Sequence, residues 1–225
     1  MTAIHADPSL PVHVQATALP WDPSPAPGVE RKRIERVGDE RARVTSLVRY
    51  APGTRFPEHT HGGGEEFLVL EGVFSDETGD YPAGSYVRNG VGSAHTPASK
   101  PGCTLFVKLW WMHPDETTSS RVRIHDEAIW TATDWGKTAL LHNGPHDRVD
   151  LWRIADGATL TTALDVGCEL FVLDGRATLN GEPLKPWSWV RCPDPQTLRL
   201  TATAPTTLYI KRGHLVNPPA PPVSL

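Results

Sequence analysis

The chain has 225 residues, of which 39% are hydrophobic and 21% charged, and its formal net charge is -4 at pH 7. This length allows one large domain or two domains of about 100 residues, each with its own hydrophobic core. Basic residues form no stripe and no run of about 18 apolar residues occurs, so we expect neither a nucleic acid nor a membrane as partner.

Glycine and proline are frequent, with 19 and 22 residues, and leave little uninterrupted sequence for long helices. This composition predicts an all-β protein rich in turns. The three cysteines, Cys103, Cys168 and Cys192, are far apart and odd in number, so they suggest neither a disulfide framework nor a metal-binding C-x-x-C pair. Together with an N-terminus that lacks a signal-peptide pattern, this predicts a cytoplasmic protein.

Residues 1–28 contain the run P-W-D-P-S-P-A-P-G and are predicted to form an extended N-terminal arm. Short strand-like segments separated by turn residues follow, namely Val44–Tyr50, Glu66–Leu70, Ser85–Arg88 and Thr104–Trp110. Strands at this spacing indicate a sandwich or a barrel. The acidic segment Asp76–Asp80 is interpreted as a hairpin turn, because it lacks the spaced oxygen ligands of a calcium loop.

Three blocks of sequence recur at one offset of 103 residues. E-F-L-V-L-E-G at 66–72 matches E-L-F-V-L-D-G at 169–175, S-Y-V-R at 85–88 matches S-W-V-R at 188–191, and T-L-F-V-K at 104–108 matches T-L-Y-I-K at 207–211. A fourth block, further upstream, matches at an offset of 104. These repeats predict a tandem duplication with a join within His113–Trp135 and domains at 29–115 and 116–225. The alternative is one long sandwich.

A cluster of possible metal ligands lies in the first repeat. His59 and His61 are two residues apart and share a face of an extended strand. The three glycines that follow allow a reversal of the chain, because glycine adopts positive φ without steric cost, so that Glu65 faces the same interior. His95 arrives from a later strand. Buried histidines in such a cluster would be costly without a ligand or partners.

Three imidazoles and one carboxylate suit one divalent transition metal per chain, with zinc, iron(II), nickel and manganese all compatible. The neighbouring Glu66 is the alternative to Glu65, since only one of two adjacent strand residues faces inward. The spacing to Gly72 and the occurrence of Cys168 at the matching position both favour Glu65. Glu66 is then predicted to form a structural ion pair or to be a turn partner.

The second repeat differs at all four ligand positions. Depending on the alignment gap, Ala163 or Thr162 replaces His59, and Asp165 or Leu164 replaces His61. Cys168 replaces Glu65, and Leu198 replaces His95. The C-terminal domain, 116–225, is therefore predicted to be a degenerate, metal-free copy.

The segments H-T-H-G-G-G-E-E-F-L-V-L-E-G-V-F-S-D-E and Y-P-A-G-S-Y-V-R-N-G resemble the two cupin motifs, and more narrowly the ChrR-type cupins, over about residues 43–110. Gly90 stands where the second motif usually has proline. The resemblance implies double-stranded β-helix (jelly-roll) barrels in a tandem bicupin, with a metal bound by three histidines and one glutamate. These ligands match His59, His61, Glu65 and His95.

ChrR itself is an anti-sigma factor whose N-terminal helical zinc domain binds the sigma factor. The first 40 residues here are too short and too rich in proline for such a domain, so sigma-factor binding is not expected. We predict a metal-binding sensor or binding protein with a small-molecule ligand. The alternative is a non-haem metal-dependent dioxygenase; an isomerase or epimerase would need a base that the sequence does not identify. No catalytic residue is assigned, and exposed strand edges are compatible with a homodimer.

Overall fold

The computed structural model describes residues 2–39 and 41–222. This part of the chain contains 22 β-strands, two single-turn 3-10 helices (Ala16–Ala18 and Glu127–Ile129) and no α-helix, so the predicted all-β class is confirmed. Within the same residues, no helix has the length and apolar character needed to cross a membrane.

The strands of the first half are β1 (Ala3–Ile4), β2 (Val12–Gln15), β3 (Asp22–Pro23), β4 (Val29–Gly38), β5 (Ala42–Tyr50), β6 (Thr54–Arg55), β7 (His59–Thr60), β8 (Glu65–Asp76), β9 (Gly79–Pro82), β10 (Ser85–Asn89), β11 (Ala94–His95), β12 (Ala98–Ser99), β13 (Cys103–Leu109) and β14 (Ser120–Arg123). Those of the second half are β15 (Trp130–Thr133), β16 (Gly136–Asn143), β17 (Arg148–Ile154), β18 (Thr159–Leu164), β19 (Cys168–Leu179), β20 (Glu182–Leu184), β21 (Ser188–Cys192) and β22 (Gln196–Arg212). The four strand segments predicted from sequence coincide with β5, β8, β10 and β13.

The strands form two compact units, each built from separate stretches of sequence. Among the described residues, the first unit contains 2–6, 19–39, 41–125 and 219–222, and the second contains 7–18 and 126–218. The main change of unit, between His125 and Asp126, lies inside the predicted join. The predicted arm is divided between the units, because β1 and β3 pair with β4 whereas β2 pairs with β21. The domain limits 29–115 and 116–225 stay a prediction.

The main sheet of the first unit has the antiparallel order β1-β4-β5-β13-β8-β10-β14. The short strands β9 and β12 pair with β8, and β6 pairs with β12. Strand β7 pairs separately with β11. Its inward face supplies a hydrophobic core that includes Val48, Phe67, Phe74, Val87 and Leu105. Strand residues with apolar side chains on this face alternate with outward residues, as expected for period-2 strands.

The second unit repeats this arrangement. Its sheet has the order β15-β16-β17-β22-β19-β21-β2, with β18 on β22 and β20 on β19. Strands β8 and β19 each have 12 residues and begin 103 residues apart, and β10 and β21 share the same offset. Gly72 and Gly175 bend these long strands with positive φ, where a Cβ would strike a carbonyl oxygen of the neighbouring strand. The sequence repeat therefore corresponds to a structural repeat.

Candidate metal centre

The four predicted ligands meet inside the first unit. His59 in β7 pairs directly with His95 in β11, and Glu65 begins β8. The Nε2 atoms of His61 and His95 are 3.0 Å apart, and Glu65 Oε2 lies 3.3 Å from the first and 3.5 Å from the second. One ring nitrogen from each of the three histidines lies within 4.8 Å of the others. The three imidazoles therefore converge on one position, and the Glu65 carboxylate lies beside the His61 and His95 rings.

The glycine turn brings the two histidines of the first motif and Glu65 to this position. Gly64 has a φ of +70°, and a Cβ there would lie 2.3 Å from the sulfur of Met112. At Gly63 a Cβ would lie 2.4 Å from the indole ring of Trp110. The turn therefore requires glycine for both its backbone conformation and its close packing.

Hydrogen bonds orient two of the imidazole rings. The Nδ1 atom of His59 lies 3.0 Å from the carbonyl oxygen of Pro57, and that of His95 lies 3.1 Å from Asp76 Oδ2. With Nδ1 engaged, the Nε2 atom of each ring is directed away from these partners. A carboxylate or carbonyl on the second nitrogen is the usual arrangement at metal-binding histidines, where it fixes the tautomer and raises ligand basicity.

Glu65 is held by a chain of hydrogen bonds from two neighbouring strands. Asn89 pairs with it across β8 and β10, and its Nδ2 donates to Glu65 Oε2 at 2.9 Å. Arg121 in β14 in turn donates to Asn89 Oδ1 at 2.7 Å and to the Tyr81 hydroxyl at 3.2 Å. The carboxylate orientation is therefore set by side chains on two further strands.

The electrostatics of the site follow from burial and from these partners. Burial lowers the pKa of His61, and the negative charge of Glu65 only partly opposes this, so its imidazole is neutral at pH 7. Burial also acts to lower the pKa of His95, but the hydrogen bond that it donates to Asp76 and the charge of Glu65 raise it overall. For Asp76, burial acts to raise the pKa, yet hydrogen bonds from His95 and Thr78 lower it to about 2.

Aromatic side chains enclose the imidazoles. The Phe56 ring meets His59 edge to face at 5.2 Å between centroids, and the Phe74 ring lies 5.8 Å from His95. His61 and His95 retain only 5% and 4% of their surface exposure. A metal ion between these imidazoles would thus be largely shielded from water, and Coulomb interactions there would be stronger than in bulk solvent.

Three residues that support the site are not identified by sequence motifs. The segment Asp76–Asp80 forms the predicted hairpin, with Asp76 opposite Gly79, but Asp76 also binds His95. Asn89 and Arg121 likewise act through partners that are remote in the sequence.

A surface cavity of about 500 Å³ opens beside Asp76, and it is lined by Arg55, Glu58, Ser75, Asp76, Glu77, Thr96 and Ala98.

The alternative Glu66 faces away from the site. It pairs with Arg88, whose Nη1 lies 2.7 Å from Glu66 Oε2, and both side chains are almost completely buried. The predicted structural ion pair is confirmed. Arg88 also contacts Glu116 at 2.5 Å.

In the second unit, apolar packing occupies the equivalent place. In the first unit His95 pairs with His59, and in the second unit Leu198, at the position of His95, pairs with Thr162. Thr162 is therefore the residue equivalent to His59, and Leu164 is the one equivalent to His61. Cys168 pairs with Cys192 as Glu65 pairs with Asn89. Leu164, Cys168 and Leu198 belong to the hydrophobic core of this unit.

Two antiparallel β-units with this strand order, one of them presenting three histidines and a glutamate to its interior, define a cupin. Residues 10–113 match the ChrR cupin-like domain family, so the predicted resemblance to ChrR-type cupins is confirmed for this part of the chain. No curated protein matches the sequence.

Solved cupin structures are similar over most of the chain. The bacterial pirin YhhW of Escherichia coli, in complex with nickel(II), has a TM-score of 0.70 and 14% identity, covering 94% of this chain and 100% of the pirin. Salicylate 1,2-dioxygenase of Pseudoaminobacter salicylatoxidans, as an adduct with gentisate, has a TM-score of 0.63 and 14% identity, covering 93% and 82%. A cupin 2 conserved barrel protein of Leptotrichia buccalis has a TM-score of 0.58 and 12% identity, covering 90% and 96%. At these identities the similarity establishes the fold.

Proposed function

We propose that the first unit binds one divalent transition-metal ion through His59, His61, Glu65 and His95. Metal bonds of about 2.0–2.1 Å to imidazole place two nitrogen ligands on one ion roughly 3 to 4 Å apart. The separation of 3.0 Å between the His61 and His95 nitrogens is compatible with this geometry. The two buried imidazoles of His61 and His95 and the partly buried one of His59 face one carboxylate, which is a donor set typical of a transition-metal site.

The donor set favours zinc or iron(II), and nickel and manganese remain compatible. The neutral state of His61 supports binding, because an imidazole coordinates a metal only when the nitrogen is unprotonated. One of the similar structures, the pirin, is described in complex with nickel(II). The identity of the ion is therefore a matter for direct measurement.

The function that this site supports best is a metal-dependent dioxygenase acting on a small organic substrate. The observation that carries this inference is that three histidine nitrogens converge beside the Glu65 carboxylate in the interior of the first unit. A six-coordinate ion with four protein ligands would keep two positions for oxygen and a chelating substrate, and it would supply the redox chemistry. The chain would orient the ligands through Asp76 and Asn89 and would exclude water with Phe56 and Phe74.

A second candidate is a metal-dependent sensor or small-molecule-binding protein. The observation that favours it is that Glu65 contacts both His61 and His95 and is itself fixed by Asn89. Four such ligands can close a tetrahedral zinc site with no open position, which is typical of structural zinc. A cytoplasmic homodimer stays a prediction.

The deciding experiment is elemental mass spectrometry on untagged protein, combined with oxygen uptake over small diketones and hydroxy-aromatic compounds. One iron per chain with substrate-dependent oxygen uptake would support the dioxygenase. One tightly held zinc without turnover would support the sensor or binding protein. A wild-type protein with no bound transition metal, even after reconstitution, would contradict both.

A further inference from the structure

Three arginines lie on one face of β4. Arg31 pairs with Val48, Arg33 with Ser46 and Arg36 with Val44 on the adjacent strand β5. Directly paired residues of antiparallel strands project to the same face, and residues two apart on β5 share that face. The three guanidinium groups therefore belong to one surface.

A β-bulge makes this arrangement possible. Residues 33 and 36 are three positions apart and would lie on opposite faces of a regular strand. The register shifts between Arg33 and Glu35, so that Ile34 is the additional residue. The bulge returns Arg36 to the face of Arg31 and Arg33, which is the effect expected when two residues oppose one.

This face is the one that carries the candidate metal centre. The cross-strand row that starts at Arg36 continues through Val44 and Leu109 to Glu65. Three strand spacings separate the ends of this row, which is about 14 Å along the sheet. Long arginine side chains cover part of that distance.

Tyr50 links the two regions electrostatically. It lies on the same face of β5 as Val48, and its hydroxyl is buried. Burial raises the pKa of Tyr50, the Glu65 carboxylate raises it further, and the Arg31 guanidinium lowers it. Arg31 and Glu65 therefore both act on a group in the shared interior.

The positive charges on this face are only partly balanced. Arg33 lies 3.4 Å from Asp22, and the Nε of Arg36 donates to the carbonyl oxygen of Gly38. Within residues 2–39 and 41–222, no carboxylate lies at ion-pair distance from Arg31 or Arg36. Burial lowers the pKa of both groups, as expected for cations that have lost hydration.

The second repeat serves as an internal control. Strand β16 has the same bulge, between Leu140 and His142, and it pairs with β17 as β4 pairs with β5. The residues equivalent to the three arginines are Thr138, Leu140 and Asn143, all uncharged. On the same face of the second repeat, Arg148 and Arg212 both pair with Asp150. Arginines on the outer strand thus occur only in the repeat that has the metal-ligand set, so the fold itself does not require them there.

We propose that Arg31, Arg33 and Arg36 form an oxyanion subsite for the small molecule that occupies the metal centre. Its ligand is a small organic anion whose carboxylate or phosphate group pairs with the arginines while another part of the molecule reaches the metal. Arginine suits this role because its planar guanidinium binds carboxylate and phosphate in a bidentate manner. This inference rests on the proposed function and specifies its substrate class.

The test is calorimetric binding to metal-loaded protein, using small aromatic and 2-oxo carboxylic acids, their neutral methyl esters, and inorganic phosphate. We expect the acids to bind at least about 10-fold more tightly than their esters, and the variants Arg31→Gln and Arg36→Gln to lose about 10-fold or more for acids only. Arg31→Lys keeps the charge but loses the bidentate geometry, so it should bind acids more tightly than Arg31→Gln and less tightly than the wild type. Arg49→Gln is the matched control, because Arg49 pairs with Glu30 on the opposite face.

Equal binding of acids and esters, unchanged acid binding in both glutamine variants, or no binding of any probe at millimolar concentration would overturn the subsite. Stronger binding of phosphate than of every acid would identify a phosphate ligand, within the same proposal. Metal content is measured on each sample. If the protein holds no metal but still binds acids through Arg31 and Arg36, the metal proposal fails and the subsite stands. If it holds metal but binds acids and esters equally, the subsite fails and the metal proposal stands.

Discussion

Replacing Asp76 with asparagine tests whether its carboxylate orients His95. Asparagine keeps the size and a hydrogen-bonding oxygen, but it removes the negative charge that lies 3.1 Å from His95 Nδ1. Loss of a carboxylate that supports a metal-binding histidine typically weakens metal affinity by about 10- to 100-fold. We expect the Asp76→Asn protein to lose its metal at about 10- to 100-fold lower concentration of a competing chelator than the wild type. The control variant Ser75→Ala, changed at the adjacent position, should lose metal at the same chelator concentration as the wild type.

The same substitution should change how stability depends on pH in the metal-free protein. The pKa of Asp76 falls from 3.8 to about 2 on folding, against the effect of burial, because of its hydrogen bonds to His95 and Thr78. At about 1.4 kcal/mol per pKa unit, ionised Asp76 contributes roughly 2 kcal/mol to the free energy of unfolding. Because the folded pKa is the lower one, this contribution is complete well above pH 3.8 and disappears as pH falls through about 2.

Urea unfolding between pH 6 and pH 3 measures this difference. Roughly 1 kcal/mol of the contribution should already be lost at pH 3, so the wild-type and Asp76→Asn proteins should converge as the solution is acidified. A constant difference in unfolding free energy across this range, or unchanged chelator resistance at pH 7, would show that Asp76 does not act through its charge on His95.

Three further predictions concern the ligands and the turn. His61→Ala should remove most of the bound metal by elemental analysis, whereas Cys168→Ala should keep it; full metal retention in the histidine variant would refute the ligand assignment. Gly64→Ala should lower the free energy of unfolding by about 1–3 kcal/mol in urea titrations, through positive φ and steric overlap. Gly53 has a φ of +79° and open space around it, so Gly53→Ala should lose only the part of the unfolding free energy that comes from backbone strain. Equal losses in the two alanine variants would argue against steric overlap at Gly64. Asn89→Ala should weaken metal affinity and alter the metal's optical or magnetic spectrum, because the carboxylate ligand loses its orienting amide; an unchanged spectrum would contradict this.

The two repeats separate the requirements of the fold from those of the site. Strand lengths, pairings and the bending glycines persist in both units, although the four ligand positions differ. In the second unit Leu164, Cys168 and Leu198 pack in the core, which satisfies the interior without an ion. A hydrophobic core and a metal centre are thus alternative ways to fill the same place, because buried polar groups must be either satisfied or absent.

The all-β class and the cluster of His59, His61 and Glu65 could be predicted from the sequence, because they depend on short-range spacing. The duplication and His95 could be predicted because whole motifs recur or resemble a known family. Two histidines separated by one residue, a glycine turn and a glutamate are local features whose geometry follows from strand period and glycine's conformational freedom. The offset of 103 residues is likewise visible without coordinates, and β8 and β19 follow it.

Only the tertiary structure identified the residues that surround the ligands. Asp76 meets His95 across 19 residues, Asn89 meets Glu65 across 24, and Arg121 meets Asn89 across 32. Such contacts depend on which strands become neighbours and in which register, and no local pattern specifies this. The bulge at Ile34 has the same consequence, because one additional residue moves Arg36 to the other face of its strand.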